Sequence, residues 1–401
     1  MTARIAPRRV VVTGIGVLTG PCVGAEEFWT ALVRPSPEPT HRRLVGFEPR
    51  RWLGRREAQR TDRFAQVAVA AAQLAFDDAG APVDDPDGVG VVVGTGSGGV
   101  ESLLAAYEGF AAKGRDGVNL LTGVMAMSNA GAANIAFHLG GRGPTYAVAS
   151  GCASGTHAVS DAARLVRDGR ADVVYCGGSE AALRGDAPEE DPMAVGLLNL
   201  RVHTTEPVAR PFDVDRGGFV LAEGAAVLRL ETLEAARQRG ARVYAEVLGG
   251  ANTVDGYDMI HPSPHGTGLA RCMQLALRDA GVEPDQVGQI NCHGTGTHHN
   301  DLAESDAART VFGLPGPPLT STKAVTGHPG AAAGGLEAAA LAISIHRRLI
   351  PQTQWVRTVD PELTADIVVG APRPWTPGFG ISNSVGLGGQ NGSVVMGPDP
   401  G

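Results

Sequence analysis

The sequence predicts an α/β fold made of two related halves, and three observations predict it. A helix, a turn and a glycine-rich strand occur twice, about half a chain apart. A fainter pair of strand-to-helix segments follows, one in each half. Within every copy, a short strand-like run stands next to a helical pattern, the alternation from which layered α/β folds are built. At 401 residues, 43% of them hydrophobic, the chain can bury a large core, and its length fits two or three domains or one large pseudo-duplicated one.

The elements follow in chain order. Val10-Val-Val-Thr-Gly-Ile-Gly-Val-Leu18 reads as a buried strand closing on glycine. Arg8-Arg9 before it mimics a signal peptide, but Thr13 and Gly14 interrupt the apolar run and no small-residue cleavage pattern follows. Gln73-Leu-Ala-Phe-Asp-Asp-Ala-Gly80 reads as a helix capped by glycine, followed by a Pro/Asp turn and the strand Gly88-Val-Gly-Val-Val-Val-Gly-Thr-Gly-Ser-Gly98. Gln274-Leu-Ala-Leu-Arg-Asp-Ala-Gly281, a Glu-Pro-Asp turn and Val287-Gly-Gln-Ile-Asn-Cys-His-Gly-Thr-Gly-Thr297 repeat that pattern. Ala147-Val-Ala-Ser-Gly-Cys152 with its following helix parallels Ala324-Val-Thr-Gly-His328 and the Ala-rich helix from Ala331 to His346. The hinge belongs near Glu231 to Ala245, where a helical stretch ends on Gly240. The expected halves are residues 1–240 and 241–401.

Composition excludes several function classes. A formal charge of −8 disfavours a nucleic-acid or anionic-membrane partner. No segment approaches the ~20 continuous apolar residues of a membrane helix. The five cysteines, an odd and scattered set, form neither a disulfide framework nor a CxxC metal site. A reducing cytoplasm is the expected location.

Chemistry concentrates at four residues. Cys152 follows the tight Ser150-Gly151 turn, which exposes its sulfur. A helix starting there would aim its positive end at the sulfur and favour thiolate, although a free cysteine is more often ordinary core. His293 stands at a glycine-rich strand end, and His328 at a helix start that favours neutral imidazole. If the halves are related by a pseudo-twofold, Cys152 and His328 face one shared site. Lys323 is one of only two lysines among 34 basic residues, the other being Lys113. Its retention beside His328 implies a compact point charge where arginine would not serve.

Together these residues resemble the β-ketoacyl-acyl carrier protein synthases, the condensing enzymes of fatty acid and polyketide assembly. The resemblance covers nearly the whole chain, through Arg9-Val-Val-Val-Thr-Gly-Ile-Gly-Val17, Asp62-Arg-Phe64, Gly141-Arg-Gly-Pro144, Pro211-Phe-Asp-Val-Asp-Arg-Gly-Gly-Phe219, Glu223-Gly-Ala and Ser382-Asn-Ser-Val-Gly-Leu-Gly-Gly-Gln-Asn391. It implies the thiolase fold, two βαβαβαββ-type halves in alternating α-β-α-β-α layers, and a dimer. It further implies that Cys152 accepts an acyl chain from acyl carrier protein. His293 and His328 then drive loss of carbon dioxide from malonyl-carrier protein and stabilise the enolate. By the same resemblance Lys323 orders the histidines with Glu304 as its carboxylate partner, and the amides of Cys152 and Leu387 form a second oxyanion hole. Val385, Gly388 and Asn383 support that loop, and Val124, Met125 and Met127 line the acyl tunnel. No cofactor or metal is implied, since the substrates ride on the phosphopantetheine of the carrier protein.

Departures point toward a specialised polyketide-type enzyme. The family loop Phe-Gly-Phe-Gly-Gly reads Val385-Gly-Leu-Gly-Gly389 here, so Leu387 replaces an aromatic gate, and Ser150-Gly151 replaces Thr-Ala before the cysteine. A dinucleotide-binding reading of Thr13 to Gly20 lacks an acidic residue ending a second strand. The Tyr-x-x-x-Lys of short-chain dehydrogenases is impossible, because Gly109 and Leu319 precede the two lysines. A metal hydrolase built on His293, His298, His299, Asp301 and Glu304 matches no common zinc spacing. An inactive chain-length-factor subunit would lack the cysteine, whereas a heterodimer with such a subunit stays open.

Overall fold

A computed structural model describes residues 8–35, 40–80, 85–183, 192–376 and 378–401. The predicted turn after Gly80 begins on residues 81–84, outside the described residues. Ten strands carry the architecture: β1 (Val10–Thr19), β2 (Val89–Gly94), β3 (Thr145–Val148), β4 (Val173–Glu180) and β5 (Gly224–Thr232), then β6 (Ala245–Val254), β7 (Val287–Asn291), β8 (Leu319–Thr320), β9 (Phe379–Gly386) and β10 (Gln390–Gly397). With a short hairpin strand on β1 they form an 11-stranded sheet of order β3-β2-β4-β5-β1-β6-β10-β9-β7-β8.

Duplication is visible in that order. Counted from its outer edge, each half runs third, second, fourth, fifth and first strand. In both halves the outer three strands pair in parallel and the inner ones antiparallel. The halves meet where Val11 of β1 pairs with Glu246 of β6 and Val12 with Ala245. The chain crosses between them through the short helix Leu233–Gln238, inside the predicted hinge.

Helices complete the layers. α1 (Arg63–Ala79) covers β1 and β5, and α3 (Thr267–Ala280) covers β6 and β10. Both end on the predicted glycine, Gly80 at φ 69° and Gly281 at φ 65°, in the left-handed conformation that costs glycine nothing. Between the sheet halves lie α2 (Ser154–Arg167) and α4 (Ala333–Arg347), packed on each other. Every residue of α4 from Ala333 to Ile345 is buried, as expected of a helix that is apolar nearly all round. The layering is therefore α-β-α-β-α, the thiolase arrangement that the sequence resemblance implies. Among the described residues no helix is long and apolar enough to cross a membrane.

Two local expectations need correction. α2 begins at Ser154, with Cys152 two residues ahead of it. The Ser150-Gly151 turn, with Gly151 at φ 56°, occupies the place of the first helical turn, and Ser154 Oγ caps it by donating 2.5 Å to the Gly151 carbonyl. The second-half helix also starts late: Gly330–Ala332 form a 3-10 turn before α4.

Candidate active site

The middle layer brings the ends of α2 and α4 together, and with them the predicted chemistry. His328 Nε2 lies 3.1 Å from Cys152 Sγ. The His293 ring stands 5.0 Å from that of His328, nearly perpendicular to it. All three residues line one cavity of about 700 Å³. Cys152 is partly buried, and both histidines are 2% exposed.

Each side chain is held by a separate device. His328 follows the short helix Lys323–Thr326, and its backbone is pinned to the first half, donating 2.7 Å to the Val220 carbonyl and accepting from the Ala222 amide at 3.2 Å. The Phe219 ring packs edge-on against its imidazole, 4.7 Å away. His293 follows β7, where its amide and that of Gly294 donate to Glu304 at 2.8 and 2.6 Å. The loop at Leu387 lies against Cys152, and the Leu387 amide donates to its sulfur.

Lys323 is fully buried. Its Nζ donates 3.1 Å to His293 Nδ1, 2.5 Å to the His293 carbonyl, and to Glu337. The sequence expectation of Glu304 as its partner is overturned: Glu304 caps backbone amides, and Glu337, from the middle of α4, makes the ion pair. That carboxylate is legible in retrospect as the single acidic residue of an Ala-rich helix. Because Nδ1 of His293 accepts from Lys323, a neutral His293 carries its proton on Nε2, facing the cavity.

Electrostatics set the resting protonation states. Burial pushes the Cys152 thiol up to about 11, Lys323 only partly opposing it. The expected resting thiolate is thus corrected to a thiol: the helix starts two residues further along the chain, and burial of the sulfur disfavours its anion. Burial, reinforced by Lys323, lowers His293 to about 4 and takes His328 well below the usual imidazole range. Burial alone would raise Glu337, but the Lys323 ammonium beside it brings it below the usual carboxylate range. Glu180, unnoticed in the sequence, ends β4 in the same cavity and accepts from the Gly96 and Ser97 amides at 2.7 and 3.1 Å.

The remaining predicted residues divide. Val385 and Leu387 line the cavity, and Leu387 is 40% exposed at its wall. Gly388 anchors the loop by donating 2.8 Å to the Met259 carbonyl. Asn383 is buried in β9, holding Ser393 and Met273, and is a strand-packing residue away from the cavity. Val124, Met125 and Met127 do not line the cavity: Val124 and Met127 are 61% and 51% exposed. The apolar wall comes instead from Leu183, Met193, Leu197 and Leu200, around the helix Pro192–Asn199, whose role no motif in the sequence announced.

Comparison with known proteins supports the same reading. Residues 46–236 match the family described as beta-ketoacyl synthase, N-terminal domain, and residues 244–356 match its C-terminal domain. A 3-oxoacyl-[acyl-carrier-protein] synthase 2 from Synechocystis sp. is 36% identical over 409 residues, covering 97% of this chain and 98% of its own. The protein of the same name from Staphylococcus aureus is 35% identical over 411 residues, covering 97% and 98%. Among solved structures, the ishigamide ketosynthase/chain length factor superposes with a TM-score of 0.90 at 33% identity, covering 98% of this chain and 100% of that one. A type II PKS acyl-carrier protein in complex with its ketosynthase bound to the hexaketide gives 0.85 at 29% identity, with the same coverage.

Proposed function

The chain belongs to the β-ketoacyl synthase family, acyltransferases that condense an acyl thioester with malonyl-acyl carrier protein as carbon dioxide leaves, and we propose that Cys152, His293 and His328 carry that reaction here. The observation that carries the assignment is the meeting of a thiol and two neutral imidazoles in one cavity, with His328 Nε2 3.1 Å from Cys152 Sγ.

Acyl loading starts from the thiol. As Cys152 Sγ attacks the carrier-bound thioester, its proton passes to His328 Nε2 and stays there, and the departing phosphopantetheine thiolate takes a proton from solvent. The amides of Cys152 and Leu387 receive the oxyanion of the tetrahedral intermediate. Malonyl-carrier protein then enters. Its thioester oxygen gains negative charge as the carboxylate departs, and the Nε2 protons of His293 and His328 are the donors aimed at it. Lys323 acts on His293 as a positioning residue, since its contact at Nδ1 sets the tautomer that makes Nε2 a donor. The enolate carbon attacks the Cys152 thioester, the chain moves to the carrier protein, and His328 returns its Nε2 proton to the departing Cys152 thiolate.

The partner is an acyl carrier protein, and the assembly a homodimer or a heterodimer with a chain-length-factor-like subunit; the neighbours named above support the carrier protein and the heterodimer. Polyketide assembly is favoured over fatty-acid elongation because Leu387 replaces an aromatic gate, leaving a wider entrance. No cofactor takes part, and five free thiols suit a reducing cytoplasm.

Mass spectrometry of the protein after exposure to labelled acyl-carrier proteins tests the assignment. Label on Cys152 is expected, none in Cys152→Ala, and the accepted chains report the pathway. Carbon dioxide release from malonyl-carrier protein should fall at least ~100-fold in His293→Ala or His328→Ala. Label retained in Cys152→Ala, or release unchanged in both histidine variants, would refute it.

A further inference from the structure

We propose that Cys152, His293 and His328 are also a three-ligand site for a divalent transition ion of the zinc class, and that such an ion holds the protein in a reversible state closed to acyl loading. One ligand atom from each residue lies within 4.8 Å of the other two, the one group of this kind among the described residues. A thiolate with two imidazoles is the donor set that zinc prefers, and three protein ligands leave its fourth position open. Here that position faces the cavity, where water or an incoming thiol can occupy it.

The spacing is close to what coordination needs. Zinc bonds of ~2.3 Å to sulfur and ~2.0–2.1 Å to nitrogen place tetrahedral ligands about 3.3–3.6 Å apart. The Cys152 and His328 donors stand 3.1 Å apart, and closing the remaining gaps takes movements of about an ångström or less. His293 Nδ1 is engaged by Lys323, so Nε2 is its ligating atom. Coordination there moves the imidazole proton to Nδ1, where Glu337 Oε1 lies 3.6 Å away, the carboxylate that often stands behind a metal-bound histidine. Lys323 keeps its other acceptors, the His293 carbonyl and Glu337.

Charge is also balanced. The Lys323 ammonium opposes a cation, but its ion pair with Glu337 offsets it, and Glu180 adds a second carboxyl group at the cavity wall. Coordination replaces the S–H bond of Cys152 by a sulfur–metal bond and releases that proton to solvent, with no change of oxidation state. The coordination does not depend on the condensation reading, whereas the block of acyl loading rests on it.

Cobalt(II) added to the full chain in the absence of substrate is the direct test. We expect one ion per chain, a thiolate-to-cobalt charge-transfer band with the strong visible bands of tetrahedral ligation, and reversal by chelator or by Zn2+. The charge-transfer band should vanish in Cys152→Ala, and affinity should drop at least ~10-fold in His293→Ala and His328→Ala. In the unmodified protein Zn2+ should protect Cys152 from iodoacetamide, a readout that needs no folded variant. No band at a large excess of Co2+, or a band that survives Cys152→Ala, overturns the metal site. A band without loss of acyl transfer leaves the coordination standing and overturns the closed state.

Discussion

Cys152 stands where a helix terminus and burial of the sulfur compete over the same proton. Stabilisation by a helix end amounts to about 0.3–1 kcal/mol, whereas raising a thiol from 9.0 to about 11 corresponds to about 3 kcal/mol. Burial wins, and the resting residue is a thiol whose anionic fraction grows about ten-fold per pH unit until it nears about 11. The rate of Cys152 alkylation by iodoacetamide should therefore climb steadily from about pH 7 to about pH 9 with no plateau. Levelling off near neutral pH would mean that a thiolate is stabilised after all. The other four cysteines are buried, so the measurement reports one site. Cys152, His293, His328 and Lys323 were legible from residue type, scarcity and flanking glycine. Glu337 and Glu180 were not, because which carboxylate meets a buried cation depends on how α4 and β4 cross the molecule. No local pattern records that crossing.

At the scale of elements, the position of the site depends on how closely α2 and α4 approach. Gly155 marks the contact: a Cβ built there would lie 2.7 Å from both the Ala331 carbonyl oxygen and the Gly335 nitrogen. These are backbone atoms that cannot turn aside. Gly155→Ala gains up to about 1 kcal/mol of helix propensity but must push the two helices apart, and the strain should exceed the gain, lowering stability by about 1–3 kcal/mol. The same displacement separates Cys152 from His328, so acyl loading should fall with it. Gly196→Ala is the matched control, for its Cβ would meet nothing within 4 Å and should leave stability unchanged or slightly higher. Thermal unfolding and acyl transfer on both variants check this, and equal behaviour of the two would show that the helix contact is not tight. The outer helices were readable in the sequence because their glycine caps repeat. The late start of α2 was not, because the helical spacing of its apolar residues begins before the backbone does.

The molecule as a whole leaves several large apolar side chains and one sheet edge uncovered within a single chain. Tyr107, Phe110, Leu120 and Phe137 are 72%, 59%, 96% and 83% exposed, and Val124 and Met127 stand exposed as well. The sequence marked those last two as candidates for the acyl tunnel, and here both are exposed and away from the cavity. Strand β3 ends the sheet on this half with its outer edge unpaired among the described residues. Exposed large apolar side chains and a free strand edge are both features that soluble proteins cover. The duplicated halves were legible as a repeat, but an interface outside the chain leaves only a cluster of apolar residues that periodicity cannot tell from core. The chain is expected to pair through these side chains and that edge. Light scattering of the purified protein should give a dimer mass, and Phe137→Asp, which places a charge at the exposed ring without disturbing a buried group, should shift it to monomer at an unchanged helical content. A dimer that appears only when a second ketosynthase-like chain is co-expressed would make the assembly a heterodimer. A monomer mass under both conditions would mean that neither these side chains nor the free edge form an interface.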